Sequence, residues 1–72
     1  MTRTERLRSL CQDVDALADA DEATVLAALP RWDSLAILLV LSHYEQTHKQ
    51  AVTGAQIRAC RTVAELLDLY VA

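Results

Sequence analysis

The chain has 72 residues, of which 53% are hydrophobic and 24% charged, and its net charge is −3. That is one small domain, residues 1–72, too apolar for a disordered tail and too short for a second domain or an enclosed active site. A non-enzymatic module is therefore expected. The mildly acidic balance supplies no basic stripe to displace phosphate counterions, so nucleic acid is not an expected partner.

Gly and Pro occur once each, Phe is absent and aromatics make up 4%, so the core must be aliphatic. No apolar run approaches the roughly 20 residues of a membrane span. Without a signal-peptide pattern, a reducing cytoplasmic setting is expected, with Cys11 and Cys60 as buried free thiols. There is no C-x-x-C. His43 and His48 are spaced to fall on different faces of a helix, so no metal site is expected.

In chain order, Thr2 and Glu5 form a T-x-x-E capping box that opens a helix over about Arg3–Leu17. Its apolar positions Leu7, Leu10, Cys11, Val14 and Leu17 follow helical spacing. Arg3, Arg6 and Arg8, interrupted by Glu5, read as a solvated face. Residues 18–33 form a long connection. Within it Thr24–Leu29 reads as a short helical turn or an extended apolar strap, ended by Pro30.

Asp33 is a good N-cap for the next helix, Ser34–His48. Ile37, Val40, Leu41, Tyr44 and His48 mark its expected core face, with Ala36, Leu39, His43 and Gln46 opposite. Thr53-x-x-Gln56 opens a short helix over Gly54–Cys60. Thr62-x-x-Glu65 opens a last one from Val63 to about Val71, with Val63, Leu66, Leu67 and Tyr70 facing inward. No β-alternating segment competes. The expected fold is all-α, a bundle of three main helices and one short helix.

The chemically informative segment is Leu29-Pro30-Arg31-Trp32-Asp33-Ser34-Leu35-Ala36. Capping alone accounts for an Asp and a Ser at a helix start. A helix N-terminus also has unpaired amides and partial positive charge, which favour a phosphate attached at Ser34. Ser34 has no G-x-S-x-G elbow and no histidine nearby in sequence, so it reads as a serine modified by another enzyme rather than a nucleophile.

Asp33-Ser34-Leu35 ahead of a helix resembles the D-S-L motif of acyl carrier proteins, and Trp32-Asp33-Ser34-Leu35-Ala36 the W-D-S-L-A string of small free-standing bacterial carriers. Thr62-Val63-Ala64-Glu65-Leu66 is similar to that family's closing T-V-x-x-L helix. The resemblance implies a four-helix carrier bundle whose serine, here Ser34, receives 4′-phosphopantetheine from coenzyme A through a magnesium-dependent phosphopantetheinyl transferase. The distal thiol then carries acyl or aminoacyl thioesters between loading and downstream enzymes. It further implies that Asp33 caps the helix and contacts partners, and that Leu35 packs near the arm and the transferase.

Two departures from the family pattern stand out. Arg31 replaces a usual glycine, and the helix after the serine carries Glu45 as its only carboxylate. The missing acidic face, with the W-D-S-L-A string, points to a specialised lipid or secondary-metabolite pathway rather than generic fatty-acid synthesis. Arg31, Trp32, Leu38, Leu39, Ser42 and Glu45 are the candidate partner-recognition residues.

The run Ile37–Leu41 is apolar on every side of a helix, more than a bundle this small can bury. Either Leu35, Leu38 and Leu39 form an exposed strip for a dedicated partner or weak self-association of a monomer, or Thr24–Leu29 folds over them. The alternative to a carrier is a helical adaptor whose interface is that strip and whose Ser34 is only a helix cap.

Overall fold

The computed structural model describes residues 2–71, and among them it is mostly helical, with no strand and one isolated bridge. Four α-helices follow one another: α1 (Arg3–Asp13), α2 (Ser34–His48), α3 (Gly54–Arg58) and α4 (Val63–Asp68). Two are long, at 11 and 15 residues, and two short, at 5 and 6. α1 packs on α2 and α4, and α2 packs on α3. Between them lies an aliphatic core that includes Leu10, Val14, Leu17, Leu26, Val40 and Ile57, with the ring of Tyr44.

All three capping boxes form, with reciprocal bonds between Thr2 and Glu5, Thr53 and Gln56, and Thr62 and Glu65. Each satisfies two amides that the helix leaves without a partner. The Glu5 carboxyl is held below its ordinary value, first by the Thr2 backbone N–H and then by the Thr2 hydroxyl.

Helix α1 ends four residues before the expected Leu17. Val14 is extended and a single 3-10 turn covers Asp15–Leu17. The D-V-D sequence has weak helix propensity, since a β-branched residue sits between two aspartates that compete for backbone bonds. A 3-10 turn repeats every three residues, so Val14 and Leu17 still reach the core at 0% exposure. The apolar spacing is kept although the helix is not.

The connection combines both expected forms. Asp21 and Thr24 close a side-chain-stabilised turn, and Leu26–Ala28 is a 3-10 turn. Between them Val25 bridges Thr62 in antiparallel sense. The strap carbonyls of Thr24 and Glu22 accept the first-turn amides of Val63 and Ala64, at 3.1 and 3.0 Å. The strap therefore serves the start of α4.

Helix α4 closes at Asp68, short of the expected Val71, and its far end is also satisfied by distant groups. The Tyr44 hydroxyl donates to the carbonyl of Leu66 and Arg6 Nη1 to that of Leu67, while Gln50 Nε2 donates to that of Leu69. A six-residue helix is unstable alone. Here both ends are completed by tertiary hydrogen bonds. Likewise the short α3 stops at Arg58 rather than Cys60.

The arginines of α1 require a correction. Arg3 is not on a solvated face. Its Nε lies 2.5 Å from Glu22 Oε1 and its Nη1 2.8 Å from Asp68 Oδ1, and its Nη2 donates to the carbonyl of Ala64. Arg6 stacks over Tyr70, 4.5 Å from the ring centroid. The two clasp α1 to the strap and to α4, leaving Arg8 exposed as expected.

The inward face of α2 differs as well. Ile37, Val40 and Tyr44 are buried as expected, but so are Ala36 and His43, which spacing had placed opposite. His43 is buried because its Nδ1 pairs with Asp13 Oδ2 at 2.6 Å, so its polar edge is not left bare. Nor are His43 and His48 on separate sides, since their ring centroids are 5.4 Å apart. Burial, then His43, then Arg6 hold His48 below its ordinary value. Cys11 and Cys60 are free and half-buried rather than fully buried, with thiols pushed up chiefly by burial.

Candidate functional site

Ser34 is presented by a sequence of local constraints. Leu29 is extended, as the residue before a proline must be. Leu29–Pro30–Arg31–Trp32 then closes a turn through the Trp32 amide and the Leu29 carbonyl, 3.3 Å apart, with proline at the position whose fixed φ suits it. Asp33 stays extended. Its carboxylate accepts the Ala36 amide at 3.1 Å and its carbonyl the Ile37 amide at 3.1 Å.

Ser34 is therefore the first helical residue and not the cap. It is exposed, and among the described residues its hydroxyl has no hydrogen-bond partner. The amides of Ser34 and Leu35 precede any carbonyl within α2 that they could bond. Beside them is a cavity of about 190 Å³ lined by Asp15, Arg31, Asp33, Leu35 and Leu39. The Arg31 guanidinium is fixed there, with Nη2 donating to the carbonyl of Asp15 at 2.8 Å.

Neither histidine stands near the Ser34 hydroxyl. His43 and His48 lie about 13 and 21 Å further along the helix axis at 1.5 Å per residue. His43 is in addition enclosed and paired with Asp13. Among the described residues no group of three or more His, Cys, Asp or Glu side chains is placed to hold a metal.

The other candidate residues divide in two. Leu35 and Leu38 are 63% and 59% exposed, and Ser42 and Glu45 continue the same outward stripe of α2. Leu39 is half-buried and packs on the core. The strap does not cover Leu35 or Leu38, being occupied at Thr62 and α4. Trp32 leaves the stripe altogether. It is half-buried against the core and lines a separate cavity with Val25, Arg58 and Arg61. No periodic signal brings those residues together in sequence.

No family model, no curated protein and no solved structure matches the chain. Among the described residues no helix is long and apolar enough to cross a membrane.

Proposed function

We propose that this chain is a carrier protein modified on Ser34 with 4′-phosphopantetheine, acting with a phosphopantetheinyl transferase and with acyl- or aminoacyl-loading enzymes in a cytoplasmic, specialised lipid or secondary-metabolite pathway. The observation that carries it is the state of Ser34. Asp33 does the capping, which leaves the Ser34 hydroxyl exposed and unengaged on a rigid helix start.

The residues present fit such a group. The free first-turn amides and the partial positive charge of a 15-residue helix favour a phosphodiester on Ser34 Oγ. Arg31 is the one cation at the adjoining cavity, where it offsets part of the negative charge of Asp15 and Asp33. When attached, the group supplies a thiol for thioester carriage, and the chain itself provides position and recognition. Leu35 and Leu38 offer partners an apolar stripe bounded by Ser42 and Glu45.

The test is the intact mass of the chain before and after incubation with coenzyme A, magnesium and a promiscuous transferase. A gain of one phosphopantetheine on the wild type, and none on Ser34→Ala, supports the reading. No gain on folded protein across several transferases overturns it. The exposed stripe keeps a second reading in view, a helical adaptor using Leu35 and Leu38 as its interface. That reading no longer has Ser34 as the cap, and sedimentation of the unmodified chain tests it.

A further inference from the structure

Away from Ser34, the strap, the turn before α2 and the α3–α4 corner line an open surface cavity of about 400 Å³. Its apolar wall is Val25, Leu26 and the half-buried ring of Trp32. Val25 is 49% exposed although its backbone is bridged to Thr62, so an apolar side chain is held at the rim by its main chain. Its polar wall is Arg58 and Arg61, both exposed.

Like the exposed Arg8, those two cations have no polar partner among the described residues, unlike the other three arginines. Arg3 is paired with Glu22 and Asp68, Arg6 is stacked on Tyr70, and Arg31 is bonded to Asp15. Among the described residues the Arg58 and Arg61 side chains have neither an ion pair nor a hydrogen bond. The nearest carboxylate in sequence, Glu65, is committed to the backbone amides of Arg61 and Thr62. In a chain of net charge −3, two arginines without a polar partner line one cavity with Trp32, the Arg58 guanidinium packing over Gly54, and form a local centre of opposite sign.

We propose that this cavity binds an amphiphilic carboxylate. An aliphatic or aryl body lies on Trp32, Val25 and Leu26, and a terminal carboxylate is held by the guanidiniums of Arg58 and Arg61. Arginine matches a carboxylate with paired donors in one plane. The volume lies within the roughly 300–1,000 Å³ of small-molecule sites.

Arginine forks suit phosphate as well as carboxylate, and what separates the two here is the supply of backbone donors. Phosphate sites at helix starts use free backbone amides. Here the start of α4 has none to give, since Val63 and Ala64 are bonded to Thr24 and Glu22, and Glu65 to the Thr62 hydroxyl. The Glu65 carboxylate also opposes a dianion more than a monoanion. Trp32 stands two residues before Ser34, at the end of the turn that precedes α2. The site does not depend on Ser34 being modified.

The chain has one tryptophan, and it lines the cavity, so its fluorescence is the direct readout. Ser34→Ala protein is titrated with octanoate, with neutral octanamide and with inorganic phosphate. The expected result is a saturable change with octanoate and a weaker response to the other two. Replacing both Arg58 and Arg61 with Gln should weaken octanoate by about tenfold or more, as loss of charge-assisted hydrogen bonds implies. Lys49→Gln, remote from the cavity, should leave it unchanged.

Amide chemical shifts should move at Val25, Ala27, Arg58 and Arg61. The proposal is overturned by no saturation at about 10 mM, a concentration that would fill even a weak millimolar site. It is equally overturned by octanamide or phosphate binding as well as octanoate, by full affinity in the double variant, or by shifts centred on Leu35 and Leu38. The comparison of octanoate with octanamide needs no cavity variant, so it holds even if the double substitution unfolds the chain.

Discussion

Asp33 and Ser34 are adjacent, both polar and both at the start of α2, yet the structure gives them separate duties that a pair of substitutions separates. The Asp33 carboxylate accepts the Ala36 amide at 3.1 Å, so Asp33→Ala removes a side-chain cap. Such a loss costs about 1 kcal/mol, within a range of about 0.5–2 kcal/mol. In a domain of this size that lowers Tm by about 4–8 °C. Ser34→Ala removes an exposed hydroxyl with no partner and inserts the best helix former at a helical position, so stability should stay within about 0.5 kcal/mol of wild type or rise slightly. Thermal unfolding followed by circular dichroism measures both. On the carrier reading the order reverses for modification: Asp33→Ala retains an acceptor hydroxyl, while Ser34→Ala takes up no phosphopantetheine. If Ser34→Ala destabilised as much as Asp33→Ala, the hydroxyl would be a cap after all and the assignment of duties would be wrong.

The same logic gives four further outcomes. Leu38→Glu, at an exposed position, should leave Tm within a few degrees, whereas Leu39→Glu forces a carboxylate toward the core and should lower it clearly; equal melting of the two would refute the placement of the stripe. Tyr44→Phe deletes the buried donor to the Leu66 carbonyl and should cost about 1 kcal/mol in denaturant unfolding, and no change would remove that bond from the account of α4. Lys49 closes α2 in the left-handed region at φ 53°, so Lys49→Gly should stabilise by about 1 kcal/mol, seen as a higher denaturant midpoint. His48, faced by His43, Tyr44, Tyr70 and Arg6, has a folded pKa below its ordinary 6.5, so the unfolded chain binds the proton more readily. Its contribution is therefore present above pH 6.5 and lost as pH falls below it, and His48→Gln should flatten the Tm profile between pH 7 and 5.

What could be read from sequence, and what could not, follows the range of the interactions. The three capping boxes and Asp33 act across three residues, so the chain order alone located every helix start. The end of α4 is less legible because its partners are remote. α4 stops where Tyr44, Arg6 and Gln50 reach its carbonyls, and none of these is adjacent in sequence. His43 shows the limit of a polarity pattern. It scores as an outward residue, but a carboxylate 30 positions earlier meets its ring nitrogen and permits burial. Arg3 departs from a solvated face for the same reason, its partners lying 19 and 65 positions away.

The site divides along the same line. Ser34 and its cap are local, so the D-S-L string at a helix start could be placed before any coordinates. The apolar stripe was an inference from volume, because a small bundle cannot bury every side of Ile37–Leu41, and Leu38 bears the consequence while Leu39 escapes it by packing inward. The Trp32 cavity had no sequence signal, since it is made where a strap, a turn and a helix corner meet. This has a bearing on how the two candidate sites relate. The turn that fixes the Ser34 hydroxyl outward is the same one that turns Trp32 inward, through one hydrogen bond from the Trp32 amide to the Leu29 carbonyl. Pro30 makes that turn stiff by fixing φ and removing a donor. Both candidate sites are therefore built on the two sides of one short turn.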